Sequence, residues 1–275
     1  MTVTSTALIS GGARGIGRCL TRRFCERGYK VYVWDIDEDE LTYTVKTHLA
    51  SYYESGSLGF GLCNLGDTED IRKQAGVAAE FLDGKIDVLV NNGAIAAPHW
   101  KDGKTMADFE TLTQWRAYMD INLTNPFAVS QACIKYLAKA EDEARHENDS
   151  DSGPCIINIG SFRAHHSDRN QEGYASSKSG LLGLMHSMAV SLQHWDIRVN
   201  TVSPGRILVN HESRAGDEKG MTWAEQNEDS QIAHHLSNRA GRPKDIADAV
   251  EYLVNAGFVT GQEIVVDGGT SKKKQ

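Results

Sequence analysis

Short apolar runs alternate with helix-like segments along nearly the whole chain, and this alternation restricts the possible folds most strongly. Seven runs predict strands, at residues 7–9, 30–34, 57–62, 86–91, 155–159, 197–202 and 263–266. Between them, apolar residues recur at helical spacing, as in Ile16, Leu20 and Phe24. Because parallel strands need a crossover that a helix normally supplies, the pattern predicts a doubly wound α/β fold with a parallel seven-stranded sheet and helices on both faces.

The 275 residues contain no internal repeat and no linker that would divide the chain, which predicts a single domain over residues 1–275. The segment at about 206–238 is longer than an ordinary connection and predicts a substrate lid. Its apolar residues would lie over the pocket: Met221, Trp223, Ile232 and Leu236. The charged stretch 139–153 predicts a surface connection.

Charge and cysteine content limit the expected partners. There are 29 Lys+Arg against 37 Asp+Glu, a net charge of −8, and the basic run Lys272–Lys274 is interpreted as a solvated tail, so nucleic acid is not an expected partner. No apolar run reaches the 18 or so residues of a membrane helix and the first residues do not resemble a signal peptide, so a cytoplasmic location and no membrane partner are expected. Five cysteines without CxxC spacing predict reduced thiols and no metal site.

A glycine-rich segment, residues 10–17, joins the first predicted strand to the first helix. Such a turn lets the backbone approach a pyrophosphate at a helix N-terminus, although glycine spacing alone is weak evidence. Asp35 ends the second strand, 18 positions after Gly17. A carboxylate there accepts both ribose hydroxyls of an adenosine and repels a 2′-phosphate, which favours NAD. Arg14 within the loop can reach a 2′-phosphate, so NADP stays the alternative.

A second pattern places Tyr174 four residues before Lys178, with Ser161 at a strand end 13 residues earlier. On a helix, positions i and i+4 share a face. A free tyrosine titrates near about 10, and a nearby cation favours the phenolate and lowers that pKa. The pattern therefore predicts that Tyr174 acts as a general acid/base assisted by Lys178.

Together these motifs resemble the short-chain dehydrogenase/reductase family, over residues 8–269. Its cofactor loop reads Thr-Gly-x-x-x-Gly-x-Gly, with Ser10 here in place of threonine, and Asn91-Asn92-Gly93-Ala94 stands where the family has Asn-Asn-Ala-Gly. The resemblance implies a Rossmann-type sheet and four catalytic residues, Asn122, Ser161, Tyr174 and Lys178. Ser161 would orient the substrate oxygen, Lys178 would bind the nicotinamide ribose, and the backbone carbonyl of Asn122 would hold a water that links the lysine to solvent.

The same resemblance implies a nicotinamide dinucleotide and the residues that hold it: Gly11, Arg14, Gly15, Ile16, Gly17, Asp35, Ile36, Asn64, Leu65, Asn91, Gly93, Tyr174, Lys178, Pro204, Gly205 and Ile207. Two positions depart from the family pattern. Val209 replaces a frequent threonine and so lacks a hydroxyl, and Asn64 replaces an aspartate at the adenine pocket but keeps an acceptor oxygen.

Residues 162–172 are almost all polar and are expected to border the substrate, which favours a sugar or polyol. Predicted substrate contacts are Ser161, Arg163, Tyr174 and His211, with His99, Trp100, Asn210, Glu212 and Arg214 completing the pocket. The predicted function is NAD-dependent hydride transfer between a secondary alcohol and the nicotinamide. The alternatives are an NADPH-dependent carbonyl or 3-oxoacyl reductase and a non-catalytic dinucleotide-binding sensor.

The helix expected to carry Tyr174 has no Asp, Glu, Lys or Arg between Lys178 and Asp196. Its apolar residues are Leu181, Leu182, Leu184, Met185, Met188 and Val190. This lack of charge indicates burial on more than one side, and the family resemblance implies a homodimer or homotetramer that pairs this helix and the one before it.

Overall fold

The computed structural model describes residues 5–138 and 152–273. Seven parallel strands form one sheet in the order β3-β2-β1-β4-β5-β6-β7. The strands are β1 (Thr6–Ser10), β2 (Lys30–Asp35), β3 (Leu58–Leu62), β4 (Val88–Asn91), β5 (Cys155–Ile159), β6 (Arg198–Pro204) and β7 (Glu263–Val266). The predicted doubly wound fold and all seven predicted strands are confirmed, with ends that differ by one or two residues.

Helices connect successive strands. They are α1 (Gly15–Glu26), α2 (Glu38–Tyr43), α3 (Ala50–Glu54), α4 (Thr68–Phe81), α5 (Thr111–Met119), α6 (Asn125–Leu137), α7 (Glu172–Ser191), α8 (Arg214–Glu218), α9 (Trp223–Gln226), α10 (Asp229–Ile232) and α11 (Pro243–Asn255). Single π-helical turns follow α2, at Thr44–His48, and α5, at Asp120–Thr124. None of the helices in the described part of the chain is long and apolar enough to cross a membrane.

Both faces of the sheet are buried, as the alternation of β2 shows. Val31 and Val33 pack in a core with residues of α1 and α11, whereas Tyr32 and Trp34 pack in a second core with residues of α4, α6 and α7. Successive side chains of a strand point to opposite faces, so a strand covered on both sides is apolar throughout. This is why the strands read as continuous apolar runs.

The direction of winding reverses beside β1, because β2 lies on one side of it and β4 on the other. In a doubly wound sheet, the loops that leave the carboxyl ends of strands separate at such a point and open a crevice for a ligand. The loop after β1 is the glycine-rich segment, and the loop after β4 begins with Asn92 and Gly93.

The predicted lid at 206–238 contains the short helices α8, α9 and α10. The charged connection predicted at 139–153 lies outside the described residues, apart from Ser152 and Gly153.

Candidate active site

The loop between β1 and α1 is closed so tightly that glycine is required. A Cβ atom on Gly17 would lie 1.9 Å from the carbonyl oxygen of Gly11, and one on Gly11 would lie 2.6 Å from Cα of Gly93. Gly11 also has a φ of +66°, in the region that side chains disfavour. The loops after β1 and β4 therefore touch backbone to backbone.

The start of α1 presents unused hydrogen-bond donors. In the described part of the chain, the amide groups of Ile16 and Gly17 have no hydrogen-bond acceptor. The amide of Gly15 already donates to the carbonyl oxygen of Glu212, 2.7 Å away. Free amides and the helix dipole at an N-terminus attract an anion, so this turn is suited to a pyrophosphate.

Asp35 lies at the end of β2 and is held by backbone amides. Its Oδ2 accepts from Ala13 N at 3.0 Å, and its Oδ1 accepts from Ile36 N at 2.8 Å. Arg14 does not contact Asp35; its guanidinium pairs with Asp37 at 2.8 Å, and both side chains are exposed. The carboxylate nearest the loop and the arginine within it therefore have separate partners.

A cavity of about 640 Å³ runs from this loop to Tyr174 and Lys178. Its volume lies within the range of small-molecule sites. Most of the predicted cofactor residues line it, namely Gly11, Arg14, Gly15, Ile16, Asp35, Ile36, Asn64, Leu65, Gly93, Tyr174, Lys178, Pro204, Gly205 and Ile207. The cavity, the free amides and the carboxylate at its far end fit a nicotinamide dinucleotide.

Two predicted cofactor residues, Gly17 and Asn91, do not line the cavity. Gly17 lies behind Gly11 and permits the turn. Asn91 is buried within the sheet, where its Nδ2 donates to Asn158 Oδ1 at 2.9 Å and to Ser130 Oγ at 3.1 Å. The next residue, Asn92, takes the expected position instead, because side chains alternate between faces and only one of two adjacent asparagines faces the crevice.

Ser161, Tyr174 and Lys178 converge from β5 and α7. Ser161 follows β5, and its Oγ accepts from Arg163 N at 3.1 Å. Lys178 is buried beneath Tyr174; its Nζ donates to Ile159 O at 2.9 Å and lies 5.8 Å from the centre of the tyrosine ring. The predicted catalytic trio is thus brought to one place.

The electrostatics differ from the sequence-based expectation. Burial raises the pKa of Tyr174 above its ordinary value, and the Ser161 hydrogen bond and the Arg163 charge oppose that rise. Lys178 is not among the groups that lower it. Burial disfavours the Lys178 ammonium and lowers the pKa of Lys178 to about 8. The predicted lowering of the tyrosine pKa by Lys178 is therefore not found in this structure.

Asn122 lies in the π-helical turn between α5 and α6. Its Oδ1 accepts from Ile95 N at 2.8 Å, and its Nδ2 donates to Ser177 Oγ at 3.3 Å. The side chain thereby ties the loop after β4 to α7. Pro126, four residues later, has no N–H, so the Asn122 carbonyl has no ordinary helical donor.

A second cavity, of about 1130 Å³, meets the first at Ala96, Ser161, Tyr174, Gly205 and Ile207. Of the residues expected to border the substrate, His99 and six of residues 162–172 line it, namely Phe162, Arg163, His166, Ser167, Asp168 and Gln171. His211, Trp100, Asn210, Glu212 and Arg214 do not.

The residues that do not reach this second cavity have partners elsewhere. His211 Nδ1 is bonded to Gln226 Nε2 at 3.1 Å, and Trp100 Nε1 donates to Glu172 at 2.8 Å. Trp223, expected over the pocket, donates instead to Gly241 O at 3.1 Å. The lid contributes Ala233 and His234. The lid residues were misplaced because nothing local in the sequence sets the path of a long connection.

Sequence reasoning also missed lining residues that come from distant parts of the chain. These are Arg206, after β6, and Thr270, Ser271 and Lys273, near the C-terminus. The position of Arg206 next to the recognised Pro204-Gly205 pair was the one available signal.

Comparisons with known proteins agree with this geometry. A family model described as enoyl-(acyl carrier protein) reductase matches residues 11–271. An uncharacterized oxidoreductase of Thermotoga maritima is 32% identical over 271 residues, 97% of this chain and 96% of that one. A 7alpha-hydroxysteroid dehydrogenase of Escherichia coli is 31% identical, with 96% of this chain and 92% of the relative covered. The 3-oxoacyl-(acyl-carrier-protein) reductase FabG of Chlamydia trachomatis is 28% identical, with 97% of each covered.

Solved structures are similar over the same extent. An apo SCOR enzyme from Clostridium thermocellum has a TM-score of 0.78 at 29% identity, with 100% of this chain and 95% of the other covered. An ElxO variant with NADPH bound has a TM-score of 0.79 at 25% identity, with 98% and 100% covered.

Proposed function

Because the chain belongs to the short-chain dehydrogenase/reductase family of oxidoreductases, which bind nicotinamide cofactors, we propose that it transfers a hydride between a secondary alcohol and the nicotinamide, with Tyr174 as the general acid/base. One observation carries this proposal: Ser161 and Tyr174 line both the cofactor cavity and the second cavity. A substrate in the second cavity would meet the cofactor at these two hydroxyl groups.

A nicotinamide held in the first cavity would supply the hydride chemistry, as acceptor for the hydride of the carbinol carbon or as donor to the carbonyl. Ser161 Oγ binds the substrate oxygen and holds it near the phenol of Tyr174. Tyr174 takes the hydroxyl proton during oxidation and donates it during reduction. Burial raises the pKa of Tyr174, which favours the phenol form that donates a proton during reduction.

Lys178 and Asn122 support the tyrosine. The Lys178 ammonium faces the cofactor cavity and would donate to the nicotinamide ribose. The Asn122 carbonyl would hold a water between Lys178 and solvent, through which the proton leaves. With a pKa of about 8 for Lys178, this group exchanges a proton near neutral pH.

For the cofactor, we favour NAD. Asp35 ends β2 and lines the cavity at the opposite end from Tyr174, where its carboxylate would accept the adenosine ribose hydroxyls and repel a 2′-phosphate.

NADPH-dependent carbonyl or 3-oxoacyl reduction is the second candidate. Arg14 lines the same cavity and is held only by an exposed ion pair, so its guanidinium is able to turn toward a 2′-phosphate. The NADPH bound to the ElxO variant and the names of the FabG relatives favour this alternative.

For the substrate, we propose a sugar or polyol. Several polar side chains line the second cavity, among them Ser161, Ser167, Asp168, Gln171 and Thr270. Each hydroxyl of such a substrate would find a partner there, and a site of this kind rejects compounds that leave its polar groups unpaired.

The test is the rate of nicotinamide reduction or oxidation with NAD(H) and NADP(H) against polyols, sugars, simple secondary alcohols and 3-oxoacyl thioesters. Tyr174→Phe should lower kcat by at least about 100-fold, while the exposed Tyr252→Phe should leave it unchanged. A Tyr174→Phe variant as active as the parent would overturn the mechanism, and nucleotide binding without any turnover would favour the sensor alternative.

An Asp35→Ala variant that loses no preference for NAD would remove the argument for that cofactor.

We further propose that the protein assembles as a homodimer or homotetramer through α7 and the helix before it. Leu181, Met185 and Met188 are buried within one chain, whereas Val190 on the opposite face is 76% exposed. Phe127 of α6 is also about half exposed. Sedimentation of the parent and of Val190→Glu would test this assembly.

A further inference from the structure

Three basic side chains line the wall of the second cavity. Arg163 comes from the turn after β5, Arg206 from the turn after β6, and Lys273 from the C-terminal segment. Among the described residues that line this cavity, Asp168 is the only one that carries a carboxylate. The local charge is therefore positive in a chain whose net charge is −8.

These three cations differ in their partners. Arg163 forms an ion pair with Asp168, so that these two charges cancel. Lys273 donates to the carbonyl oxygen of Ala233, which leaves its charge uncompensated. The Arg206 side chain has no hydrogen bond or ion pair with any residue that the structure describes. Among the described residues, these two positive charges thus have no carboxylate partner.

Arg206 lies close in the chain to a residue that borders the reacting groups Ser161 and Tyr174. Arg206 directly follows Gly205, which lines both cavities together with Ser161 and Tyr174. A ligand that filled the second cavity would have one end at the two hydroxyl groups and another within reach of the wall that carries Arg206 and Lys273.

We propose that the substrate is an anionic alcohol, whose carboxylate or phosphate binds Arg206 and Lys273 while its reacting hydroxyl binds Ser161 and Tyr174. This inference rests on the proposed function and narrows its substrate class. A guanidinium matches the two oxygens of a carboxylate or phosphate with parallel hydrogen bonds. The ammonium of Lys273 supplies a second, point-like charge. The anion also compensates the positive charge that the fold brings together here.

The experiment compares three compounds with the same carbon skeleton: sorbitol, sorbitol 6-phosphate and gluconate, together with the corresponding mannitol series. The quantity measured is kcat/KM with the preferred nucleotide. At least one anionic member should exceed its neutral parent by about tenfold or more, and which one does distinguishes phosphate from carboxylate. Arg206→Gln should reduce the anionic value by about 10- to 100-fold, several times more than it reduces the neutral value.

Matched variants isolate the role of charge. Arg206→Lys should retain part of the preference, and Lys273→Gln should lose part of it. Lys272→Gln is the control for Lys273→Gln, because Lys272 is the neighbouring lysine, equally exposed, and does not line the cavity. Arg72→Gln, on α4, is the control for Arg206→Gln.

Neutral compounds that react as well as the anionic ones, or an anion preference that survives Arg206→Gln, would overturn this inference and leave the proposed function intact. If no alcohol reacts with either nucleotide, the proposed function fails. The anion site is then tested alone, by calorimetric titration of gluconate and inorganic phosphate into the parent protein and Arg206→Gln. Equal binding to both proteins, or no binding, overturns it.

Discussion

Arg18 and Glu212 form a buried ion pair that joins the cofactor-loop helix α1 to the segment after β6, with 2.9 Å between Nε and Oε2. Their side chains are only 1% and 7% exposed. Burial by itself raises the pKa of Glu212, but the hydrogen bonds and charges of Arg22 and Arg18 outweigh it and hold that pKa below the usual range. The Glu212 backbone also accepts from the Gly15 amide, so the cofactor loop and the lid are held together at one point.

Removing the Glu212 charge should destabilise the protein strongly. Glu212→Gln removes one of the two carboxylates that pair with the buried Arg18, the other being Asp217, and it also removes the partner of Arg22; weakening a buried charged network in this way costs about 2 kcal/mol or more. Urea denaturation measures the free energy of unfolding. Glu69→Gln is the control, because Glu69 pairs with Arg72 on the exposed surface of α4, where a pair contributes at most about 1 kcal/mol. Equal losses in the two variants would contradict this prediction.

Lys178 should make stability depend on pH. Its pKa in the folded protein is about 8, against 10.5 for an ordinary lysine, because burial disfavours the charge. Between these values the unfolded chain binds more protons, so this group increases the free energy of unfolding as pH rises from 8 to 10.5, by about 3 kcal/mol in all.

Lys178→Met lacks that titration while other groups are unchanged. The difference in unfolding free energy between parent and variant should therefore shift by that amount across this pH range, in favour of the parent. A difference that stays constant would mean that the pKa of Lys178 is not lowered in the folded protein.

The Arg14–Asp37 pair should limit the use of NADP. Asp37→Asn removes the charge that holds Arg14 but keeps a side-chain acceptor for the Glu40 amide at the start of α2. We expect kcat/KM for NADP to rise about two- to fivefold, since an exposed pair contributes at most about 1 kcal/mol, with little change for NAD. In an Arg14→Gln background the same change should have no effect. An equal gain in both backgrounds would exclude Arg14 as the cause.

Two helical glycines should respond oppositely to alanine. In Gly17→Ala the new Cβ would overlap the Gly11 carbonyl at 1.9 Å, so the loop must move and both stability and nucleotide affinity should fall. Gly76, in α4, has only the Tyr136 hydroxyl near its missing Cβ, at 3.8 Å. Gly76→Ala should raise the free energy of unfolding by about 1 kcal/mol. Thermal unfolding with and without nucleotide checks both, and a neutral Gly17→Ala would show that the loop is looser than described.

Much of the fold was predictable because its signals are local. A strand covered on both faces must be apolar throughout, so β1, β5 and the other strands appear as runs in the sequence. The turn at Gly11–Gly17 and the spacing of Tyr174 and Lys178 are also local, since a helix sets the distance between positions i and i+4. These features alone were enough to suggest the fold and the catalytic trio.

Other features depended on distant segments meeting. The register of the sheet decides which of Asn91 and Asn92 faces the crevice. The path of residues 206–238 is decided by packing against α1 through Arg18 and Glu212. The burial that lowers the pKa of Lys178 comes from the packing of the whole fold. The spacing of Tyr174 and Lys178 in the sequence therefore predicted that the two lie close together, but not how burial changes the pKa of each. Only the tertiary structure brought Arg206 and Lys273 to one wall, because their 67-residue separation in the chain says nothing about their distance in space.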